Sequence, residues 1–270
     1  MKISFIGGGN MATALIAGLA GNVAQGADIH VVDPEPEALQ RLHAAYGVTS
    51  APDIGATVAA SDVIVLAVKP QQMRDVALHL QSQLSGGPLL LSIAAGIRAE
   101  DLSRWLGGYG AIVRTMPNTP ALIGQGVTGM VALAGVGAAQ KEAADSIMRA
   151  VGLTVWLDEE SLIDPVTAVS GSGPAYVFYF LEAMQQAARD MGLSAEQGRA
   201  LALATFTGAA QLAAQSDEGV EVLRQRVTSK GGTTHAAISS MEAAGVKEAI
   251  VAAMKAAAAR GRELGEELGK

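Results

Sequence analysis

A glycine-containing turn near the N-terminus places the strongest constraint on the fold of this chain. Residues 2–6 are short and mostly apolar, which predicts a buried strand. Gly7, Gly9 and Ala12 follow with the spacing G-x-G-x-x-G/A, and residues 11–19 continue as an apolar helix. Gly7 permits a tight turn, Gly9 lets a pyrophosphate approach the backbone, and Ala12 allows close packing of helix on strand. The N-terminus of a helix also attracts phosphate groups. This context predicts a dinucleotide-binding unit.

A carboxylate ends the second predicted strand. Residues 28–32 form this strand, and Asp33 follows it, where an acid would bond the ribose hydroxyls of a dinucleotide. A carboxylate there repels a 2′-phosphate, and residues 34–37 contain no Lys or Arg. The residues themselves therefore favour NADH over NADPH.

Strand and helix patterns alternate through the N-terminal half. Further apolar runs predict strands at residues 63–68, 89–93, 111–114, 127–133 and 153–157. Continuous apolar runs are typical of parallel strands buried on both faces, so we predict a mainly parallel, doubly wound sheet. In such sheets the ligand lies beyond the carboxyl ends of the strands. The rigid loop at residues 116–120, which has two prolines, is therefore predicted to have a site role.

The pattern changes after residues 158–160, where no further strand is predicted. Residues 170–174, Ser-Gly-Ser-Gly-Pro, open a long helix, and Ser194 with Gln197 predicts a capping box for the next one. Residues 200–214 are apolar around nearly the whole helix, so this helix has to be buried on all sides. One small domain rarely achieves that, which predicts a subunit interface. We expect a Rossmann domain over residues 1–160 and an all-α dimerisation and substrate-binding domain over residues 161–270.

Composition excludes several classes of function. The net charge of −7 and the lack of a basic stripe argue against nucleic-acid binding. The absence of cysteine excludes disulfides, thiolate metal sites and cysteine nucleophiles, and the four histidines are too scattered to predict a metal site. No signal segment and no membrane-spanning run is evident, so we expect a cytoplasmic protein.

A second glycine turn lies late in the chain. Ser229-Lys230-Gly231-Gly232-Thr233-Thr234 precedes a helix predicted to begin near Thr233. Two glycines leave backbone N–H groups uncovered at a positive helix end, which suits an anion. A substrate carboxylate is the expected guest, because the phosphate site lies elsewhere. A capped helix start with a flexible loop remains the alternative.

Five segments, taken in order, resemble the pyrroline-5-carboxylate reductase family over essentially the whole chain. The segments are residues 5–12 (FIGGGNMA), 67–70 (AVKP), 116–120 (MPNTP), 170–176 (SGSGPAY) and 227–234 (VTSKGGTT). The last is the most specific, because the glycine turn and the AVKP-like strand end recur in other nicotinamide enzymes.

The resemblance implies reduction of 1-pyrroline-5-carboxylate to L-proline, the last step of proline biosynthesis, by hydride transfer from NADPH or NADH to the carbon of the cyclic imine. Together with Asp33, it implies a set of cofactor-binding residues: Ile6, Gly7, Gly8, Gly9, Asn10, Met11, Ala12, Asp33, Ala67, Val68, Lys69, Pro70 and Ala95. The substrate-binding set is Glu160, Ser229, Gly231, Gly232, Thr233 and Thr234. Thr234 is the catalytic candidate, because its hydroxyl would bond the imine nitrogen.

The assembly implied by the resemblance is a homodimer with interlocked helical domains. The sequence leaves open whether dimers assemble further into a ring. Two other functions also stay open. A β-hydroxyacid or imine dehydrogenase would normally carry an acid/base lysine on the long helix, but residues 174–189 contain none. An NAD(P)-sensing protein would bind the cofactor without turnover.

Overall fold

The computed structural model describes residues 1–270, and an eight-stranded sheet forms its centre. The strands are β1 (Ile3–Ile6), β2 (Ile29–Val32), β3 (Thr49–Ala51), β4 (Val63–Leu66), β5 (Leu89–Ser92), β6 (Ile112–Met116), β7 (Gly126–Ala132) and β8 (Gly152–Trp156). Their spatial order is β3-β2-β1-β4-β5-β6-β7-β8, and every neighbouring pair is parallel except β6 and β7. The first six strands have the Rossmann order. The predicted doubly wound, mainly parallel sheet is confirmed.

Twelve α-helices accompany the sheet, and only helices follow β8. They are α1 (Asn10–Leu19), α2 (Pro36–Tyr46), α3 (Ala56–Ala59), α4 (Met73–Leu80), α5 (Ala99–Trp105), α6 (Ala138–Arg149), α7 (Ile163–Val166), α8 (Gly173–Asp190), α9 (Ala195–Ala214), α10 (Val220–Arg226), α11 (Thr233–Ala243) and α12 (Val246–Leu268). The absence of strands after β8 confirms the all-α character predicted for the C-terminal half.

Two hydrophobic clusters cover the two faces of the sheet, because successive side chains of a strand point to opposite faces. On β1, Ile3 and Phe5 belong to the cluster that contains α1 and α6, whereas Ile6 belongs to the cluster that contains α4 and α5. The central strands are buried at every position. This burial on both faces explains why their sequences are continuous apolar runs.

The sequence predicts that Gly47 and Gly192 end their helices and that Ser194 with Gln197 begins one, and the structure agrees. Gly47, just after α2, has φ of 67°, and Gly192, just after α8, has φ of 94°, a left-handed conformation that suits glycine. The backbone N–H of Gln197 donates to the Ser194 hydroxyl at 3.1 Å, and the backbone N–H of Ser194 donates to the Gln197 side chain at 2.9 Å. The predicted capping box at the start of α9 is therefore present.

Four short elements are not predicted from the sequence: β3, α3, α7 and α10. Strand β3 is a three-residue edge strand without buried residues, so it carries no hydrophobic period. The sequence also predicts one continuous helix over residues 71–84, and the structure interrupts it. Only Met73–Leu80 is α-helical, between 3-10 turns at Pro70–Gln72 and Gln81–Gly86.

Contacts divide the chain into two compact units. The first unit comprises residues 1–172 together with residues 256–270, and the second comprises residues 173–255. The last part of α12 therefore belongs to the unit that contains the sheet. The domain division at residues 160 and 161 stays a prediction.

The second unit exposes many large apolar side chains. Helices α8 and α9 pack on each other, with the rings of Phe180 and Phe206 edge to face at 5.5 Å. Even so, Phe178, Leu201 and Leu212 are 57–60% exposed in the single chain. Many exposed large apolar side chains on one unit favour an interaction surface.

Candidate active site

The first glycine turn lies at the carboxyl edge of the sheet, between β2 and β4. The N–H of Gly7 donates to the Val32 carbonyl at 2.8 Å, and the N–H of Ala67 donates to the Ile6 carbonyl, also at 2.8 Å. Gly7 has φ of 105°, and a Cβ there would lie 2.7 Å from the Ala67 carbonyl oxygen. Both the backbone conformation and the close approach therefore require glycine at this position.

Gly9 opens the turn toward solvent. It caps α1 without any side-chain hydrogen bond, and a Cβ at Gly9 would meet nothing within 4 Å. The first N–H groups of a helix have no partner within the helix, so those of Asn10, Met11 and Ala12 are available to an anion. The Ala12 side chain is buried against the core at 1% exposure. This combination provides the space and the donors that a pyrophosphate requires.

Asp33 is fixed against this turn by two backbone groups. Its Oδ2 accepts a hydrogen bond from the N–H of Gly8 at 2.7 Å, and its Oδ1 accepts one from the N–H of Glu35 at 2.9 Å. The carboxylate is thus held at the end of β2, beside the glycine turn. Glu35 and Glu37 add further negative charge nearby in sequence, which makes this corner unfavourable for a 2′-phosphate.

The remaining predicted cofactor residues follow the neighbouring strands at the same edge. Ala67 and Val68 are partly buried after β4, Lys69 is exposed, and Pro70 begins a 3-10 turn. Ala95 is exposed in the turn after β5. The structure therefore brings the predicted cofactor residues to one edge of the sheet. Their role in binding stays a prediction.

The loop after β6 is tied to the backbone through Asn118. The Asn118 side-chain NH2 donates to the Ser170 carbonyl at 3.2 Å, and its carbonyl oxygen accepts from the N–H of Val127 at 2.9 Å. Asn118 is 8% exposed, so its amide links three chain segments in the interior. These two hydrogen bonds satisfy the Asn118 amide without any ligand. The sequence, in contrast, predicts a site role for this loop.

Glu160 lies in a 3-10 turn after β8 and forms a buried cluster with Arg114 of β6. Its Oε1 accepts a hydrogen bond from Arg114 at 2.8 Å and one from the N–H of Ala99, the first residue of α5, at 2.6 Å. The Arg114 side chain is 5% exposed, and that of Glu160 is 22% exposed. Arg114 is not among the residues predicted from the sequence. A charge within the apolar strand at residues 111–114 was the available signal, because a buried charge has to be paired.

The second glycine turn leads into a helix where the sequence predicts one, but the N–H of Gly232 is bonded within the turn. Gly231 has φ of 77°, and the N–H of Gly232 donates to the Ser229 carbonyl at 3.0 Å. Helix α11 begins at Thr233, directly after Gly232, and has no side-chain cap. The side chains of Thr233 and Thr234 are exposed. This turn belongs to the second unit, whereas the cofactor residues and Glu160 belong to the first.

Several titratable groups of the first unit have shifted pKa values, and His30 and Asp145 are two of them. Burial lowers the pKa of His30, whose Nδ1 lies 2.9 Å from the Thr49 hydroxyl. Burial acts to raise the pKa of Asp145, but hydrogen bonds from Thr154, Arg149 and Trp156 outweigh it and lower the pKa. Neither group lies among the predicted site residues. No cluster of three His, Asp or Glu side chains in the chain has metal-binding geometry, and no helix is long and apolar enough to cross a membrane.

Comparison with known proteins identifies the family. A family model described as "Pyrroline-5-carboxylate reductase dimerisation" matches residues 160–264, and one described as "NADP oxidoreductase coenzyme F420-dependent" matches residues 2–96. A pyrroline-5-carboxylate reductase from Pseudomonas aeruginosa is 46% identical over 269 residues, which cover 100% of this chain and 98% of the relative. The chain belongs to the pyrroline-5-carboxylate reductase family.

Solved structures of pyrroline-5-carboxylate reductases have the same fold over nearly their full length. The enzyme from Coxiella burnetii is 41% identical with a TM-score of 0.92, covering 97% of this chain and 98% of that one. The pyrroline carboxylate reductase from Plasmodium falciparum, solved with NADP bound, is 29% identical with a TM-score of 0.88, covering 98% of each chain.

These relationships confirm the resemblance read from the five sequence segments, and with it the oxidoreductase class and the NAD(P)-binding Rossmann fold. Most of the all-α half of this pyrroline-5-carboxylate reductase family member matches a dimerisation model. The protein is therefore a homo-oligomer, which is consistent with the exposed apolar side chains of α8 and α9.

Proposed function

We propose that this chain reduces 1-pyrroline-5-carboxylate to L-proline with NADPH or NADH, in the last step of proline biosynthesis. Full-length membership in the pyrroline-5-carboxylate reductase family carries the proposal. The open glycine turn at the N-terminus of α1 supports it, because it provides the donors and the space for a dinucleotide.

The residues at the carboxyl edge of the sheet fit the cofactor. Gly9 lets the pyrophosphate reach the backbone, and the N–H groups at the start of α1 bond it. Asp33 would accept bonds from the ribose hydroxyls, since its carboxylate is already held in place by Gly8 and Glu35. Residues 67–70 and Ala95 would line the path toward the nicotinamide. When bound, the reduced nicotinamide supplies the hydride.

The second glycine turn would hold the substrate. The uncapped N-terminus of α11 offers backbone N–H groups to the substrate carboxylate, and the hydroxyls of Ser229 and Thr233 add further bonds. Thr234 would bond the ring nitrogen, directly or through water, and so orient the imine for reduction. Glu160 is a weaker candidate for a substrate contact, because its Oε1 already accepts two hydrogen bonds within the protein.

Assembly and location complete the proposal. The basic unit is a homodimer formed through the helical half, in which the exposed side chains of α8 and α9 are covered by a second copy. Analytical ultracentrifugation decides between a dimer and a ring of dimers. We place the protein in the cytoplasm.

The deciding assay is oxidation of NADH and NADPH, in parallel, with 1-pyrroline-5-carboxylate as the substrate. Turnover that yields proline supports the proposal, and the ratio of the two kcat/KM values gives the cofactor preference. Clear cofactor binding without turnover would favour a sensing protein and overturn the proposed activity. Turnover of a 3-hydroxyacid with NAD(P)+, but not of the imine, would favour the dehydrogenase alternative.

A further inference from the structure

The ion pair of Arg114 and Glu160 joins three segments that are distant in the sequence. Arg114 lies in β6, Glu160 follows β8, and the Ala99 N–H bonded by Glu160 begins α5. Ala99 is 2% exposed, and α5 has no cap from a residue of its own N-terminal segment. The Glu160 carboxylate thus acts as the cap, and a negative charge at a helix N-terminus is favourable. The position of Glu160 therefore fixes the start of α5.

The start of α5 is also the end of the loop formed by residues 93–98. The other end of this loop is fixed where the N–H of Ile93 donates to the Leu66 carbonyl at 3.2 Å. Ala95, a predicted cofactor contact, lies between these two anchors. A displacement of Ala99 would therefore move the loop and Ala95 with it.

The end of α12 borders the same loop from another side. Gly96 has φ of 74°, and a Cβ there would lie 3.2 Å from Leu268 Cδ1. Arg98 lies 3.8 Å from the Glu266 carboxylate and donates to the Arg262 carbonyl at 3.4 Å. The end of α12 therefore borders the loop on one side. The position of the loop depends on these contacts and on the Glu160 cap.

The Arg114–Glu160 pair is poorly suited to simple stabilisation. Arg114 Nε is buried and has no hydrogen-bond partner in the protein, so the guanidinium is only partly satisfied. A buried ion pair of this kind is often no more stabilising than apolar side chains of similar volume. The pair has a specific orienting effect. Arg114 holds the Glu160 carboxylate within hydrogen-bond distance of the Ala99 N–H.

We propose that Glu160, oriented by Arg114, is a positioning residue that sets the loop at residues 93–98 for binding of the nicotinamide cofactor. This inference rests on the proposed function and adds Arg114 to it. It assigns the effect of Glu160 to the cofactor, whereas the family resemblance assigned it to the substrate.

The first test compares Glu160→Gln and Arg114→Met with the wild type. Cofactor Kd is measured without substrate, by quenching of protein fluorescence, and KM is measured for both ligands. Both variants should raise the cofactor Kd by about fivefold or more, equivalent to about 1 kcal/mol, and change the KM for 1-pyrroline-5-carboxylate by less than about twofold. Matched controls are Glu159→Gln, an exposed neighbour, and Arg149→Met, a largely exposed Arg on α6.

Ala99→Pro tests the same contact without removing a charge. Proline is tolerated at the first position of a helix, and the extended backbone of Arg98 suits a residue before proline. The substitution removes the N–H that Glu160 accepts and should reproduce the rise in cofactor Kd. If Arg114→Met fails to fold, the cofactor Kd of Ala99→Pro still tests the positioning role.

The outcomes separate the inference from the proposed function. A raised substrate KM with unchanged cofactor Kd would overturn the positioning role and assign Glu160 to the substrate. A lower Tm with unchanged Kd and KM would reduce the cluster to a structural role, which also overturns it. Absence of wild-type turnover would overturn the proposed function, while the cofactor Kd would still test the positioning role.

Discussion

The Asp33 carboxylate accepts a hydrogen bond from the backbone N–H of Gly8 at 2.7 Å. This bond joins the end of β2 to the glycine turn that follows β1. The second carboxylate oxygen is held by the Glu35 N–H at 2.9 Å, so the acid cannot turn away without losing both bonds. A fixed carboxylate therefore lies at the corner that is predicted to receive the ribose, where cofactors with and without a 2′-phosphate would differ.

Asp33→Asn should shift cofactor preference toward NADPH. The substitution removes the charge with little change in volume, so the ratio of kcat/KM for NADPH to that for NADH should rise about tenfold, or about 1.4 kcal/mol. Parallel assays with both cofactors measure this ratio, which is insensitive to the amount of active enzyme. Glu35→Gln is the control, because it removes a nearby charge while its backbone N–H still bonds Asp33. An equal ratio in Asp33→Asn and wild type would show that Asp33 does not set the preference.

Gly9→Ala should weaken cofactor binding without affecting folding. The added Cβ meets no atom within 4 Å and the φ of −71° is ordinary, so Tm should stay within about 1 °C of wild type, since unstrained surface substitutions change stability little. The methyl group would still occupy the space through which the pyrophosphate reaches the backbone, and cofactor Kd should rise about tenfold. Thermal unfolding without ligand and a Kd titration give the two values. Undiminished affinity would contradict the assignment of the pyrophosphate to this turn.

Gly7→Ala should have the opposite profile and mainly destabilise the fold. Its φ of 105° and the 2.7 Å approach of a Cβ to the Ala67 carbonyl combine strain with a clash, so we expect a loss of about 3 kcal/mol or more in unfolding free energy. Gly21→Ala is the matched control, because Gly21 has φ of 81° in open space. It should lose only about 1 kcal/mol. Urea unfolding measures the loss of unfolding free energy in both variants. Equal losses would show that the clash at Gly7 contributes nothing.

Thr234→Ala should lower kcat/KM for 1-pyrroline-5-carboxylate by about tenfold or more, as expected for a hydrogen bond to a charged imine. Thr234→Ser should retain much of the activity, because it keeps the hydroxyl. His235→Gln is the neighbouring control and should match the wild type, since the adjacent side chain on a helix points in a different direction. Steady-state kinetics at saturating cofactor provide the measurement. Full activity in Thr234→Ala would remove Thr234 from the mechanism.

Stability should fall at mildly acidic pH because of His30. Burial lowers its pKa below the ordinary value of 6.5, so the unfolded state takes up the proton first as pH falls. The stability due to neutral His30 is complete above about pH 6.5 and is lost as pH falls toward the folded-state pKa. His30→Asn should reduce the decrease in Tm between about pH 7.5 and about pH 5.5. Equal pH dependence in wild type and His30→Asn would exclude this contribution.

Local signals predicted elements that have strong local causes. The glycine turn, the apolar strands and the Ser194–Gln197 capping box each depend on residues a few positions apart, and the structure contains all of them. The edge strand β3 and the interruption of the helix at residues 71–84 were missed. Their conformations depend on neighbouring strands and helices, which local periodicity does not encode.

The residues of the candidate site also divide into those that local sequence signals predict and those that they do not. Gly7 could be assigned to a tight turn from spacing alone, because its conformation requires glycine, whereas the phosphate role of Gly9 stays a prediction. The hydrogen-bond partners of Glu160 could not be predicted from the sequence, since Arg114 is 46 residues away and Ala99 is 61 residues away. Asn118 likewise had no sequence signal for its bonds to Ser170 and Val127.

The sequence by itself determined the Rossmann order of elements, the all-α second half, the nucleotide turn and the family, because short-range patterns of glycine and apolar residues carry that information. Only the tertiary structure decided which polar side chains are committed to the interior. It fixed Asp33 on Gly8, Glu160 on Arg114 and Ala99, and Asn118 between two backbone segments. A buried polar group takes whichever partner the folded chain brings within hydrogen-bond distance, and that distance bears no relation to separation along the sequence.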